Sequence, residues 1–207
     1  MRKTQAWMAA AAAAVAMMTV AAAPAQASKV GEPAPVFTAR DSKGAVHDLA
    51  SYKGKWVVLE WHNQGCPYVR KHYEGGNMQR LQKEWTGKGV VWLTVISSAP
   101  GQQGHLSGAD SDAYVARMKA APSAVLLDED GSVGRAYEAK TTPQMVVISP
   151  TGTVVYNGAI DDKPTSNLAD LEGAHNLVAA ALTEGMAGKA ISVPTSRPYG
   201  CGIKYAK

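Results

Sequence analysis

Residues 55–73 read KWVVLEWHNQGCPYVRKHY. The apolar run Trp56–Leu59, with Trp61 beyond it, is short and β-branched enough to predict a buried strand. A polar turn follows over His62, Asn63, Gln64 and Gly65, and then come Cys66 and Pro67. Proline lacks the N–H that a first helical turn would leave unpaired, and its φ suits that turn, so the chain is expected to become helical at Pro67. Cys66 then stands at a helix N-terminus, where free N–H groups and the positive dipole end favour a thiolate. Arg70 and Lys71 add positive charge one turn further on. A cysteine in that position is a candidate nucleophile, provided that solvent can reach it.

Working outward, Val36–Ala39 and Val46–Leu49 flank the turn signal Asp41-Ser42-Lys43-Gly44 and predict a β-hairpin. After Cys66 the helical pattern runs to about Glu74. Gly75-Gly76 interrupts it, and Asn77 is placed to cap a fresh start carrying Met78, Leu81 and Trp85. Val90–Ile96 predicts a second buried strand, 97–107 a surface loop, and 110–120 a short helix with Tyr114, Val115 and Met118 on one side. Ser123–Leu127 predicts a further strand, Val133–Tyr137 a helix, and Gln144–Ile148 with Thr153–Tyr156 a second hairpin. Leu168–Leu182 carries helical periodicity, and the Pro/Gly-rich tail from Gly188 bears Cys201 and is expected to move. This succession implies an α/β fold with a mixed central sheet, helices on both faces and an N-terminal hairpin. Cys66 falls at the carboxyl end of a strand, where open α/β sheets place their sites.

The chain has 207 residues, but the beginning is expected to be removed. Arg2 and Lys3 precede an Ala-rich run from Ala6 to Ala23, and Ala25-Gln26-Ala27 supplies a cleavage point before Ser28. That is the layout of a secretory signal peptide over residues 1–27. A membrane anchor is the alternative for the same run; with cleavage, no stable span remains, and the protein is periplasmic or secreted. The redox domain is then 28–187 and the tail 188–207. The net charge of +4 is distributed with both signs mixed, which argues against nucleic acid as a partner. No glycine-rich nucleotide loop and no zinc-type spacing occurs, so neither a cofactor nor a metal is expected. Two cysteines, Cys66 and Cys201, are compatible with a disulfide in an oxidising compartment.

Five segments together resemble the thioredoxin-like redoxins, in particular the peroxiredoxin-like branch of the alkyl hydroperoxide reductase/thiol-specific antioxidant group. They are Gly31–Phe37, Asn63–Val69, Thr142-Pro143, Tyr156–Asp162 and Gly200–Tyr205. The resemblance implies a thioredoxin fold with Cys66 at the attacking position and a cis-proline, Pro143, packed beside it. It also implies that Thr142, Pro67 and Tyr68 meet an extended substrate. The departures are specific. Val69 stands where a dithiol thioredoxin has its second cysteine. Leu59 and Asn63 stand at the Pro and Thr/Ser positions of the peroxiredoxin motif, and Thr142 stands near the place of its arginine.

The residues support an exported thiol-dependent oxidoreductase that attacks a disulfide or a peroxide and is reset by an external thiol reductant. Cys201 either resolves the Cys66 intermediate or closes a permanent disulfide. Asn63 either donates to the sulfur or merely closes the turn. His62 and His72 either assist proton transfer or are ordinary turn and helix-surface residues. Asp161 and Asp162 most simply cap or turn the chain. The rival from another class is a non-catalytic binding module holding Cu(I) through Cys66 with His62 or His72.

Overall fold

The computed structural model describes residues 29–207, so the expected leader, residues 1–27, lies outside the described residues. The elements in chain order are β1 (Thr38–Asp41), β2 (Val46–Asp48), β3 (Val57–Trp61), α1 (Pro67–Glu74), α2 (Asn77–Gly87), β4 (Val91–Ile96) and α3 (Gly108–Met118). They continue with β5 (Ala124–Leu127), α4 (Ser132–Ala136), β6 (Thr141–Thr142), β7 (Gln144–Ile148), β8 (Val154–Gly158), α5 (Leu177–Met186) and β9 (Cys201–Gly202). Seven strands form one mixed sheet in the order β2-β1-β5-β4-β3-β7-β8. The central β3, β4 and β5 run parallel, and the outer strands pair antiparallel. This is the expected α/β architecture, hairpin included. Among the described residues no helix is long and apolar enough to cross a membrane.

Strand periodicity divides the core. On β3, Val57, Leu59 and Trp61 face one way, with Val91, Leu93, Val95, Val146 and Ile148 of the neighbouring strands; α4 and the N-terminal segment cover them through Val133, Tyr137 and Phe37. Val58 faces the other way with Trp92, Met145, Val147 and Tyr156; α1, α2 and α5 cover these through Val69, Tyr73, Met78, Leu81, Trp85, Val178 and Leu182, and α3 adds Tyr114. All five β3 residues are buried, each large apolar one contributing about 1.5–3 kcal/mol. The strand that delivers the chain to Cys66 is therefore held on both faces, as are β4 and β7 beside it.

Four local expectations are revised. Gly76, not Asn77, caps α2; its φ of 69° makes the turn that separates α1 from α2. Ser97, Ser98 and Ala99 are buried rather than part of a surface loop, because Ala99 N donates to Lys204 O of the tail at 2.8 Å. Leu168–Leu182 is not one helix: a 3-10 turn at Leu168–Leu171 is followed by a fresh start, where Asn176 accepts from Ala179 N at 2.8 Å. The tail, read as mobile, is pinned along its length, and Tyr205 Oη donates to Ala139 O at 2.7 Å.

Candidate functional site

Cys66 is the N-cap of α1 with extended backbone (φ −80°, ψ 122°), and Pro67 is the first helical residue, as the sequence predicts. The turn before it is closed by Asn63, whose Oδ1 accepts from Gly65 N at 2.9 Å while its carbonyl accepts from Cys66 N at 3.0 Å. Asn63 Nδ2 is buried and donates to nothing among the described residues. Of the two readings of Asn63, turn closure is the one realised; a bond to the sulfur is not.

The Thr142–Pro143 bond is cis, and both residues are buried. Cys66 Sγ donates to Thr142 O at 3.1 Å, so the expected juxtaposition of cysteine and proline loop is present. The tail supplies what sequence spacing could not. β9 pairs antiparallel with β6, Cys201 opposite Thr142 and Gly202 opposite Thr141. This brings Cys201 against the cluster that contains Cys66, with both sulfurs as free thiols. Burial, and then the neighbouring Cys66 sulfur, push the Cys201 thiol up to about 12. Gly200 makes the close approach feasible: its φ is 132°, and a Cβ there would lie 1.9 Å from Thr142 O.

The same arrangement seals the nucleophile. Cys66 is 0% exposed, whereas solvent access was expected of a reactive thiol. Cys66 belongs to the apolar cluster under α1, against which Cys201 and Tyr199 of the tail pack, and beside it Gln103 Nε2 of the loop after β4 donates to Gly65 O at 3.4 Å. Pro67 is exposed and Tyr68 half-buried; Tyr68 packs on Tyr199 of the tail with ring centroids 5.8 Å apart.

Two buried polar clusters lie beneath the site. Glu60, on β3, accepts from Tyr73 Oη (2.7 Å), Trp92 Nε1 (2.8 Å), Gln82 Nε2 (3.0 Å) and Thr94 Oγ1 (3.2 Å). Burial, and then the Glu60 carboxylate, hold the Tyr73 phenol well above its usual range. Sequence reasoning passed over Glu60, although an acid inside an apolar strand was a visible signal. The second cluster joins α1 to the tail. Lys71 Nζ donates to Lys163 O at 2.9 Å and lies 3.8 Å from the Asp161 carboxylate, both side chains being buried. Tyr199 Oη donates to Asp161 Oδ1. Burial pushes Lys71 down, and Asp161 opposes that push. Asp161, read as a turn residue, does accept from Lys163 N at 3.0 Å, but it is also the anion on which this cluster converges.

His62 and His72 are both buried. His72 Nδ1 is 2.8 Å from Asn77 Nδ2 and Nε2 is 3.3 Å from Tyr199 Oη, with burial and then Lys71 pushing the imidazole down to about 3. It is a buried neutral ring, not a helix-surface one. His62 packs against Tyr73 and Tyr114, its Nδ1 3.8 Å from Glu60. Of the two rings the Cu(I) alternative named, His72 has both nitrogens facing Asn77 and Tyr199, while both His62 nitrogens are buried without a hydrogen-bond partner among the described residues.

The model of the AhpC/TSA family matches residues 30–157. Among solved structures, an uncharacterized conserved protein from Geobacillus kaustophilus superposes with a TM-score of 0.73 at 24% identity, covering 86% of this chain and 93% of that one. A hypothetical protein from Sinorhizobium meliloti 1021 gives 0.70 at 22% identity, covering 87% and 97%. A thiol:disulfide interchange protein from a Bacteroides species gives 0.50 at 22% identity, covering 63% and 81%. No curated protein matches the sequence. These likenesses establish a thioredoxin-like fold. The segment from 158 onward, with Asp161, Tyr199 and Cys201, lies beyond the family match.

Proposed function

The chain belongs to the AhpC/TSA family, and we propose that it is an exported thiol–disulfide oxidoreductase whose redox pair is Cys66 and Cys201. The observation that carries this reading is the β6–β9 pairing, which sets a second thiol beside the helix-capping cysteine at the proline loop. In the proposed cycle the Cys66 thiolate attacks one sulfur of a substrate disulfide and expels the other as a thiol. Cys201 then attacks Cys66 Sγ, releases the second substrate thiol and leaves a Cys66–Cys201 disulfide. An external thiol reductant returns both cysteines to the reduced state. Export rests on the leader-like residues 1–27 and on a chemistry that suits an oxidising compartment.

Disulfide exchange is favoured over peroxide reduction at this site. Thr142 gives its carbonyl to Cys66 and its edge to β9, and Arg70 is exposed and bonded to Glu74 at 2.8 Å. No arginine of the expected position is there to polarise a peroxide.

The test is non-reducing mass mapping and free-thiol counting across a series of glutathione redox buffers. A Cys66–Cys201 linkage that forms with glutathione disulfide and opens with glutathione is the expected result. Two thiols that stay free under oxidation would overturn the pair, and a linkage that resists mild reductant would make it a permanent bridge.

A further inference from the structure

The tail crosses the site as a strap held at both ends. At one end the Tyr199 hydroxyl is bonded to buried Asp161, its ring packs at a tilt against Tyr68, and Lys71 Nζ lies 5.3 Å from the ring centre. At the other end Tyr205 Oη donates to Ala139 O at 2.7 Å, and the Arg135 guanidinium lies 4.9 Å from its ring while bonding to Ala206 O. Between these anchors Cys201 and Gly202 fill the edge of Thr142 and Thr141, and Ile203 N donates to Lys140 O at 3.0 Å. One free strand edge accepts one strand. A polypeptide that was to pair with this edge would meet it already taken, with Cys201 standing where the incoming cysteine would lie.

Resting on the redox-pair reading above, we propose that the strap selects the substrate: low-molecular-weight disulfides react with the closed molecule, and polypeptide disulfides react only after the tail is displaced. Tyr199 and Tyr205 are the positioning residues that set this selectivity. A small disulfide needs one sulfur brought to Cys66, which a swing of the Cys201 side chain permits, because Cys201 is half-buried and Gly202 exposed. A polypeptide needs the backbone edge, and that requires both Cys201 and Gly202 to leave it. The chemistry is the same in both cases. Two protein thiols become one disulfide, the substrate disulfide becomes two thiols, and the two cysteine protons pass to the departing sulfurs.

The experiment measures oxidation of the reduced full-length chain by glutathione disulfide and by insulin, in wild type, Tyr205→Phe and Tyr199→Phe. Removing one neutral hydrogen bond at Tyr205 should speed reaction with insulin about threefold to tenfold, and removing the charge-assisted one at Tyr199 by about tenfold or more. The glutathione disulfide rate should stay within about twofold in Tyr205→Phe. Tyr205→Phe leaves no buried charge unpaired, so it serves if Tyr199→Phe fails to fold. If both rates rise together, or insulin reacts equally fast in wild type and variants, the strap does not select substrates while the redox pair stands. If neither disulfide oxidises Cys66 in any form of the chain, the redox-pair reading falls and this inference falls with it.

Discussion

Replacing Gly200 by alanine should open the site without touching either sulfur. Gly200 has a φ of 132°, and an added Cβ would meet Thr142 O at 1.9 Å and Thr142 C at 2.7 Å. Both are backbone atoms of the proline loop, which buried neighbours hold in place, so the tail is the part that yields. The backbone conformation alone costs a non-glycine residue about 1–3 kcal/mol. Taking about 2 kcal/mol, at 1.4 kcal/mol per factor of ten, the population with β9 detached rises about thirtyfold. The assay is alkylation of Cys66 by a polymer-linked maleimide, too large to enter the closed site, in Gly200→Ala/Cys201→Ser against Cys201→Ser. Only Cys66 is then available to label. Modification should be about thirtyfold faster in the double variant, with far-ultraviolet circular dichroism unchanged. Equal rates in the two proteins would refute the argument that the tail is what seals Cys66.

Three further outcomes follow from the buried clusters and the site. Glu60→Ala leaves four donors buried without their acceptor; urea unfolding should show a loss of about 3–5 kcal/mol, and a loss under 1 kcal/mol would mean that the cluster rearranges freely. His72 is held neutral, with its folded pKa near 3 against 6.5 when unfolded. Between those values the unfolded chain binds the extra proton, so stability is intact above 6.5 and is lost progressively as pH falls towards 3. The contribution is about 2–3 kcal/mol between pH 6.5 and 4.5; the urea midpoint of His72→Gln should therefore vary less over that range, and parallel curves would contradict the assignment. Stopped-flow mixing with hydrogen peroxide should give a second-order rate no faster than that of free cysteine, and a much faster rate would restore the peroxidase cycle.

What could be read from the sequence was local. The strand, Asx-closed turn, cysteine, proline and helix succeed one another within residues 57–74, so propensity and capping specify them without knowledge of the rest. The proline loop was placed by resemblance and not by periodicity. What could not be read depends on partners distant along the chain. Glu60 is legible as an oddity in an apolar run, but its four donors come from β4, α1 and α2 and meet it only in the folded sheet. The tail's prolines and glycines describe freedom in the unfolded chain. Tyr199 and Tyr205 remove that freedom through Asp161 and Ala139, neither of which is a sequence neighbour. The turn role of Asp161 is legible and realised, whereas its place in a buried cluster depends on α1 and the tail packing over it.

On the proposed redox pair, Val69 accounts for the second thiol coming from the tail. It is the residue three beyond Cys66, it is buried, and it packs into the α1 side of the core, so the position that would carry a second sulfur on the same helix is committed to packing. A sulfur on that helix would need no extra ordering. One delivered from residue 201 requires the stretch 199–205 to be fixed, at a backbone cost of roughly 10 kcal/mol. Opposing that are the two-residue ladder, the Ala99–Lys204 and Ile203–Lys140 bonds, and the two tyrosine anchors, each neutral bond contributing about 0.5–1.5 kcal/mol and the Tyr199–Asp161 bond about 1.5–3 kcal/mol. The terms are of similar size, so the closed tail is held by a small difference. Loss of one anchor then changes how often β9 leaves the edge of β6, although Tyr199 and Tyr205 lie outside the chemistry.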